Sequence, residues 1–163
     1  MLITLKNKDT LKIDDFNLKC SIGKRGIVSI KREGDKCTPR GIFTLGKLYY
    51  RADRVKKPNT ILSSKIIKKN MGWCDDVTNK SYNKEITISK KIKHEKLFRK
   101  DHSYDYFVVI NYNTKNIKYA GGSAIFLHLT KTYKRTAGCI AVKKKDLLII
   151  LKLITKSSKI KIY

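Results

Sequence analysis

One cysteine and one histidine carry the strongest chemical signal in this 163-residue chain. His128 closes the apolar run Ala124-Ile125-Phe126-Leu127, and Cys139 follows eleven positions later, directly after Gly138. A thiolate is a strong nucleophile, and a nearby imidazole can take the thiol proton or share an ion pair with it. Gly138 adds something separate: without a side chain the backbone turns sharply there and can aim amide N–H groups at a developing oxyanion. A plainer account also exists. Gly-Cys-Ile-Ala-Val has the composition of a buried core strand, because cysteine is among the residues most often buried. The pairing of both residues with the intervening glycine is what points to catalysis.

These residues need strands to hold them. Residues 2–6 and 11–13 are apolar clusters around Asn7-Lys8-Asp9-Thr10, which reads as a hairpin or two short strands. Leu18 to Ile22 alternates, and Gly26 to Ile30 is a further strand candidate. The segment Lys31 to Gly41 is a charged, Gly- and Pro-punctuated turn that feeds a strand from Ile42 to Leu45. Gly34-Asp35-Lys36 lacks the spacing of a phosphate loop. Residues 51–104 form a long irregular insertion with one short helix expected near His94-Glu95-Lys96-Leu97-Phe98. Trp73, Tyr49, Tyr50, Tyr82 and Tyr104 are expected to cover the sheet, with lining a peptide or sugar groove as the alternative. Tyr106 to Ile110 is an unbroken apolar strand, expected at the centre and buried on both faces, and Ala124 to His128 is the next core strand. Lys143 to Lys156 reads as the one confident helix, packed through Leu147, Leu148, Ile150, Leu151 and Ile154. A last strand, Lys159 to Tyr163, follows it. The fold class is therefore mainly β, a β-rich α+β sandwich or barrel-like body in a single domain, 1–163.

Composition sets bounds. With 38 Lys plus Arg against 13 Asp plus Glu, the formal charge is +25, which suits an anionic partner. The basic runs are short and dispersed, and 31 of the 38 are lysine in a chain that also holds 21 isoleucines, so much of the charge reads as solvated surface. A module binding nucleic acid or another anionic polymer is the alternative from a different class, but no nucleic-acid motif supports it and no nucleic acid is expected as partner. Cys20, Cys37, Cys74 and Cys139 form no C-x-x-C pair and no zinc-like spacing with the three histidines. Asp75-Asp76 with His94 or His102 also lacks ligand spacing, so neither a metal nor a cofactor is expected. No run reaches a membrane-spanning length, and the charged N-terminus is unlike a signal peptide. As given, the chain reads as cytoplasmic, or as periplasmic or envelope-located if a leader has been lost.

Three segments, Thr38-Pro39-Arg40-Gly41-Ile42-Phe43, Ser123-Ala124-Ile125-Phe126-Leu127-His128 and Thr136-Ala137-Gly138-Cys139-Ile140, resemble the YkuD-type L,D-transpeptidase catalytic domain. Further segments, Lys31 to Asp35, Tyr50 to Arg54 and Gly72 to Asp76, resemble a compact single-domain bacterial branch. The resemblance implies an L,D-transpeptidase-like β-sandwich and a cysteine acyl-enzyme formed on peptidoglycan stem peptides or muropeptides. Cys139 would attack the L,D amide before a terminal D-alanine. His128 would serve as base, the Leu129 carbonyl would hold the imidazole, and amides around Gly138 and Cys139 would form the oxyanion hole. Arg32, Arg135 and Thr136 are the candidates for contacting the anionic stem peptide. Two positions depart from the family pattern: Ala137 stands where a histidine is usual and Ala141 where Arg or Asn is usual. Both a transpeptidase with an amine acceptor and a cytoplasmic L,D-carboxypeptidase with water as acceptor remain open, as does a member that only binds wall peptides.

Overall fold

A computed structural model describes residues 1–163. In chain order the elements are β1 (Leu2–Asn7), β2 (Thr10–Ile13), β3 (Phe16–Ser21), β4 (Ile27–Val28), β5 (Thr38–Pro39), β6 (Gly41–Tyr50), β7 (Ser64–Ile66), β8 (Met71–Cys74), β9 (Glu85–Thr87), β10 (His94–Lys96), β11 (Tyr106–Ile110), β12 (Phe126–Leu129), β13 (Ile140–Val142), α1 (Lys144–Leu153) and β14 (Lys159–Ile162). Strands take 37% of the residues and helix 6%, so the mainly β class holds.

Two leaves share β3 and β6. One runs β3-β2-β1-β14-β6 and the other β3-β13-β12-β11-β6-β7. The ten-residue β6 makes the junction: Gly41 to Thr44 pair with β14, and Leu45 to Tyr50 pair with β11. Alternation then sorts the side chains. Ile3, Leu5, Leu11 and Ile13 point into a 23-residue core shared with Leu147, Ile150, Leu151 and Ile154 from α1 and its end. The helix presents those side chains at i, i+3 and i+4 spacing, with Asp146 in its first turn and Lys152 in its last, as the helix dipole favours.

Strand β11 is buried on both faces, as its unbroken apolar run requires. Tyr106, Val108 and Ile110 enter the first core. Phe107 and Val109 enter a second cluster with Tyr49, Trp73, Tyr104, Phe126 and Cys139. A three-stranded sheet, β10-β8-β9, supplies Met71 and Trp73 to that second cluster. Tyr50 packs in the first core and Tyr49, Trp73 and Tyr104 in the second, whereas Tyr82 lies in neither.

Three local expectations are corrected. The segment His94–Lys96 is a strand, not a helix: it pairs with β8, His94 opposite Cys74 and Glu95 opposite Trp73. A free edge with unmet backbone groups outweighs the weak helical preference of a short segment. The strand at Gly26 to Ile30 shrinks to Ile27–Val28, paired with Thr38–Pro39, and Ile30 is 83% exposed. The strand bearing His128 begins at Phe126 because Ala124 adopts φ +52°, a left-handed conformation uncommon for a residue with a Cβ.

Candidate active site

Strands β12 and β13 are adjacent and parallel, with Leu127 opposite Ile140 and His128 opposite Ala141. A chain entering a parallel neighbour must first return to the same end of the sheet. The loop after Leu129 makes that return and delivers Cys139 to the start of β13. Leu127 and Leu129 face the first core, so His128 points the other way, toward the face occupied by Cys139.

Both side chains line one cavity of about 1110 Å³. The His128 Nδ1 lies 2.9 Å from the Leu129 carbonyl. A carbonyl only accepts, so Nδ1 carries the proton and the Nε2 lone pair is left available. The Tyr104 ring meets the imidazole edge-on at 5.4 Å. Cys139 is 7% exposed. Its Sγ donates to the Ala124 carbonyl at 3.2 Å and accepts from the Phe126 N–H at 3.3 Å. The left-handed turn at Ala124 is thus the feature that meets the thiol, and backbone strain at such a place is common in functional sites.

The turn from Thr136 to Cys139 is tied internally and from outside. The Thr136 hydroxyl donates to the Cys139 carbonyl at 2.6 Å and accepts from the Gly138 N–H at 3.1 Å. Gly138 has φ +145°, and a Cβ there would stand 2.8 Å from the Cys37 carbonyl oxygen; only glycine fits. From across the molecule the fully buried Thr38 hydroxyl donates to the Gly138 carbonyl at 2.8 Å and accepts from the Gly23 N–H at 2.9 Å. Gly23 permits that approach, since a Cβ there would meet the Lys36 carbonyl at 2.5 Å.

Burial governs the titration of the pair. It pushes the Cys139 thiol up to about 12, with the Glu95 carboxylate adding to the rise and the Phe126 N–H, Lys31 and Arg99 opposing it. Burial also pulls His128 down to about 4, against the Leu129 hydrogen bond. Near neutral pH the two groups therefore rest as thiol and neutral imidazole, not as an ion pair.

A model of the L,D-transpeptidase catalytic domain family, YkuD, matches residues 2–162. The chain belongs to this family. No curated protein matches it. Members are cysteine-dependent L,D-transpeptidases, and membership assigns this protein an L,D-transpeptidase-family function on peptidoglycan.

Within this L,D-transpeptidase domain, the sequence candidates separate. Cys139, His128, Leu129, Arg135 and Thr136 line the cavity; Arg32 is exposed and outside it. Thr136 holds the turn through both of its hydrogen bonds, and the Gly138 N–H is already donated to it. Asp75, Asp76, His94 and His102 do not gather into a metal-binding group; His94 Nδ1 meets the Ile92 carbonyl and His102 Nδ1 meets Asp105.

Tyr104, for which lining a groove was the alternative, borders the cavity, and Glu95, Arg99 and Lys31 join it without having been singled out. Tyr104 donates its hydroxyl to Glu95, and Arg99 lies over the Tyr104 ring at 5.0 Å. Burial raises the Glu95 carboxyl above its ordinary range, with Tyr104 and Arg99 acting the other way. Lys31 is only 7% exposed. For Thr38 a signal was present, because it opens one of the three family-like segments. Lys31 opens the further family-like segment Lys31 to Asp35, but nothing there marks the lysine itself; for Glu95 and Arg99 the only signal was a charged residue in a polar stretch, which is also what solvated surface looks like.

Proposed function

We propose that this protein is a cysteine acyltransferase that cleaves the L,D amide before the terminal D-alanine of peptidoglycan stem peptides, with Cys139 as nucleophile and His128 as base. The reading is carried by the His128 ring: its Nδ1 proton goes to the Leu129 carbonyl at 2.9 Å, which leaves Nε2 as a proton acceptor in the cavity that Cys139 also lines. The lowered His128 and the raised Cys139 thiol favour transfer of the thiol proton to the imidazole as sulfur attacks over a standing thiolate–imidazolium pair.

His128 Nε2 takes the Sγ proton while sulfur bonds to the carbonyl carbon of the L-centre. The tetrahedral intermediate collapses with cleavage of the C–N bond, and the imidazolium returns the proton to the departing D-alanine amine. A thioester remains on Cys139. An amine of a second stem peptide, or water, then attacks it, gives its proton to His128, and releases the sulfur, which recovers a proton from the imidazolium.

Mass spectrometry of a disaccharide-tetrapeptide incubated with the protein tests this, with Cys139→Ala alongside. The expected result is Cys139-dependent loss of D-alanine, either as a trimmed tripeptide with water as acceptor or as a cross-linked dimer with an amine. Activity retained in Cys139→Ala refutes the assignment.

A further inference from the structure

The turn that carries the candidate nucleophile uses up one of its own oxyanion donors. The Gly138 N–H points to Thr136 Oγ1 at 3.1 Å, and that hydroxyl in turn spends its hydrogen on the Cys139 carbonyl. Of the Gly138–Cys139 amide pair only the Cys139 N–H is left for a substrate oxygen. A tetrahedral oxyanion accepts two or more hydrogen bonds, and loss of a single donor is costly in rate.

A cation stands beside the gap. The Lys31 side chain is 4% exposed, yet it lines the same cavity as Cys139 and His128. Its Nζ lies 3.6 Å from the point that a Cβ on Gly138 would occupy. A second glycine makes room for its stem: at Gly122, φ +97°, a Cβ would meet Lys31 Cε at 2.8 Å. The ammonium has three N–H donors. One goes to Asp35 Oδ1 at 2.5 Å and one to the Arg32 carbonyl at 3.4 Å, and no acceptor meets the third.

The mount is rigid. Asp35 Oδ2 accepts from the Arg32 N–H at 2.8 Å and Oδ1 accepts from the Cys37 N–H at 2.9 Å, so the carboxylate cannot swing and the ammonium cannot follow it. Burying a lysine costs several kcal/mol before pairing is counted. A loop anchor alone needs no cation, since Asp35 already holds two backbone amides of the loop. Pairing with Asp35 offsets part of that cost, and it leaves one N–H of the ammonium unmet in the cavity that Cys139 also lines.

We propose that the Lys31 ammonium is a donor to the oxyanion formed on the scissile carbonyl, completing with the Cys139 N–H the hole that the Gly138 amide leaves unfilled. The role rests on the acyl-transfer reading above. Lys31 also acts to lower the Cys139 thiol, against burial, so the same charge favours sulfur as it loses its proton. A side chain thereby does the work of a backbone amide, and it does so in a chain whose residue before Gly138 is Ala137.

The test pairs two reactions of the same sulfur. Acyl transfer passes through an oxyanion; alkylation by iodoacetamide does not. Lys31→Met is expected to lose about 10²–10³-fold in kcat for D-alanine release, with KM within a few-fold and the alkylation rate of Cys139 changed less than about tenfold. Should the lone substitution unfold the protein by stranding Asp35, the double variant Lys31→Met/Asp35→Asn removes both charges and is expected to show the same split. Equal losses in both reactions would make Lys31 a thiolate stabiliser and overturn the oxyanion role. An unchanged kcat in an active protein would overturn it as well. Wild-type protein that releases no D-alanine would instead bring down the acyl-transfer reading, and this role with it.

Discussion

Replacing Thr38 by valine should disable the site from a residue that touches no substrate. Valine keeps the volume and the branching but has no hydroxyl. Two buried groups then lose their partner at once: the Gly23 N–H, 2.9 Å from Thr38 Oγ1, and the Gly138 carbonyl, 2.8 Å away. The side chain is 0% exposed, so water cannot replace it. A buried polar group left unmet costs about 1–3 kcal/mol, which makes a loss of roughly 2–6 kcal/mol for the pair. For a chain of this size that corresponds to a fall in Tm of roughly 4–24 °C. The kinetic effect is separate. The Gly138 carbonyl anchors the turn before Cys139, and a shift of about 1 Å in a reacting group costs on the order of 10²-fold in rate. Urea unfolding with D-alanine release measured on the same preparations gives both numbers. Thr38→Ser is the control: it keeps both hydrogen bonds and gives up one methyl, worth about 1 kcal/mol. The reasoning fails if Thr38→Val is within about 0.5 kcal/mol of wild type, or if Thr38→Ser is damaged as badly.

Burial of the Cys139–His128 pair sets three pH dependences. With His128 lowered to about 4 from 6.5, the acid limb of kcat/KM should fall near pH 4, and a limb near 6.5 would contradict the buried neutral imidazole. Between those values the unfolded chain binds the extra proton, so His128 makes stability rise with pH, by up to about 1.4 kcal/mol per unit, and that stability is lost as pH falls through the window. The slope should shrink in His128→Gln, read as the difference between wild type and variant so that the carboxylates cancel. Cys139, raised to about 12, should react with iodoacetamide at a rate still climbing at pH 10; a plateau reached below pH 9 would show a thiolate the buried site should not hold.

Much of this protein was written in local pattern. The unbroken apolar run Tyr106 to Ile110 had to be a strand covered on both faces, and it is. The spacing of Leu147, Ile150, Leu151 and Ile154 required a helix with one buried side, although it ends at Leu153 and not at Lys156. His128 and the Gly138–Cys139 pair were legible because reactive residue types at the end of an apolar run and after a glycine are informative without coordinates. Short elements were not. At His94–Lys96 three residues carry too little periodicity to choose a state, and the exposed edge of β8 chose for them.

What tertiary structure alone decided is where buried polar groups find their partners. Thr38 reaches Gly138 across 100 positions of sequence, and Tyr82 reaches Glu33 across 49; no periodicity encodes such a pair, because hydrogen bonding is satisfied in space and not along the chain. Lys31 shows the same limit. In a sequence with charge +25 residue type alone marks no lysine out, and the packing of Gly122 against its stem and of Gly138 near its Nζ sets Lys31 apart from the solvated ones. Residue type and local spacing determined the strands, the helix and the candidate nucleophile and base. The imidazole's free nitrogen is set by the adjacent Leu129 carbonyl, whereas the close approach of distant backbone segments determined the thiol's surroundings and the buried cation, since both depend on distances that exist only once the chain has folded.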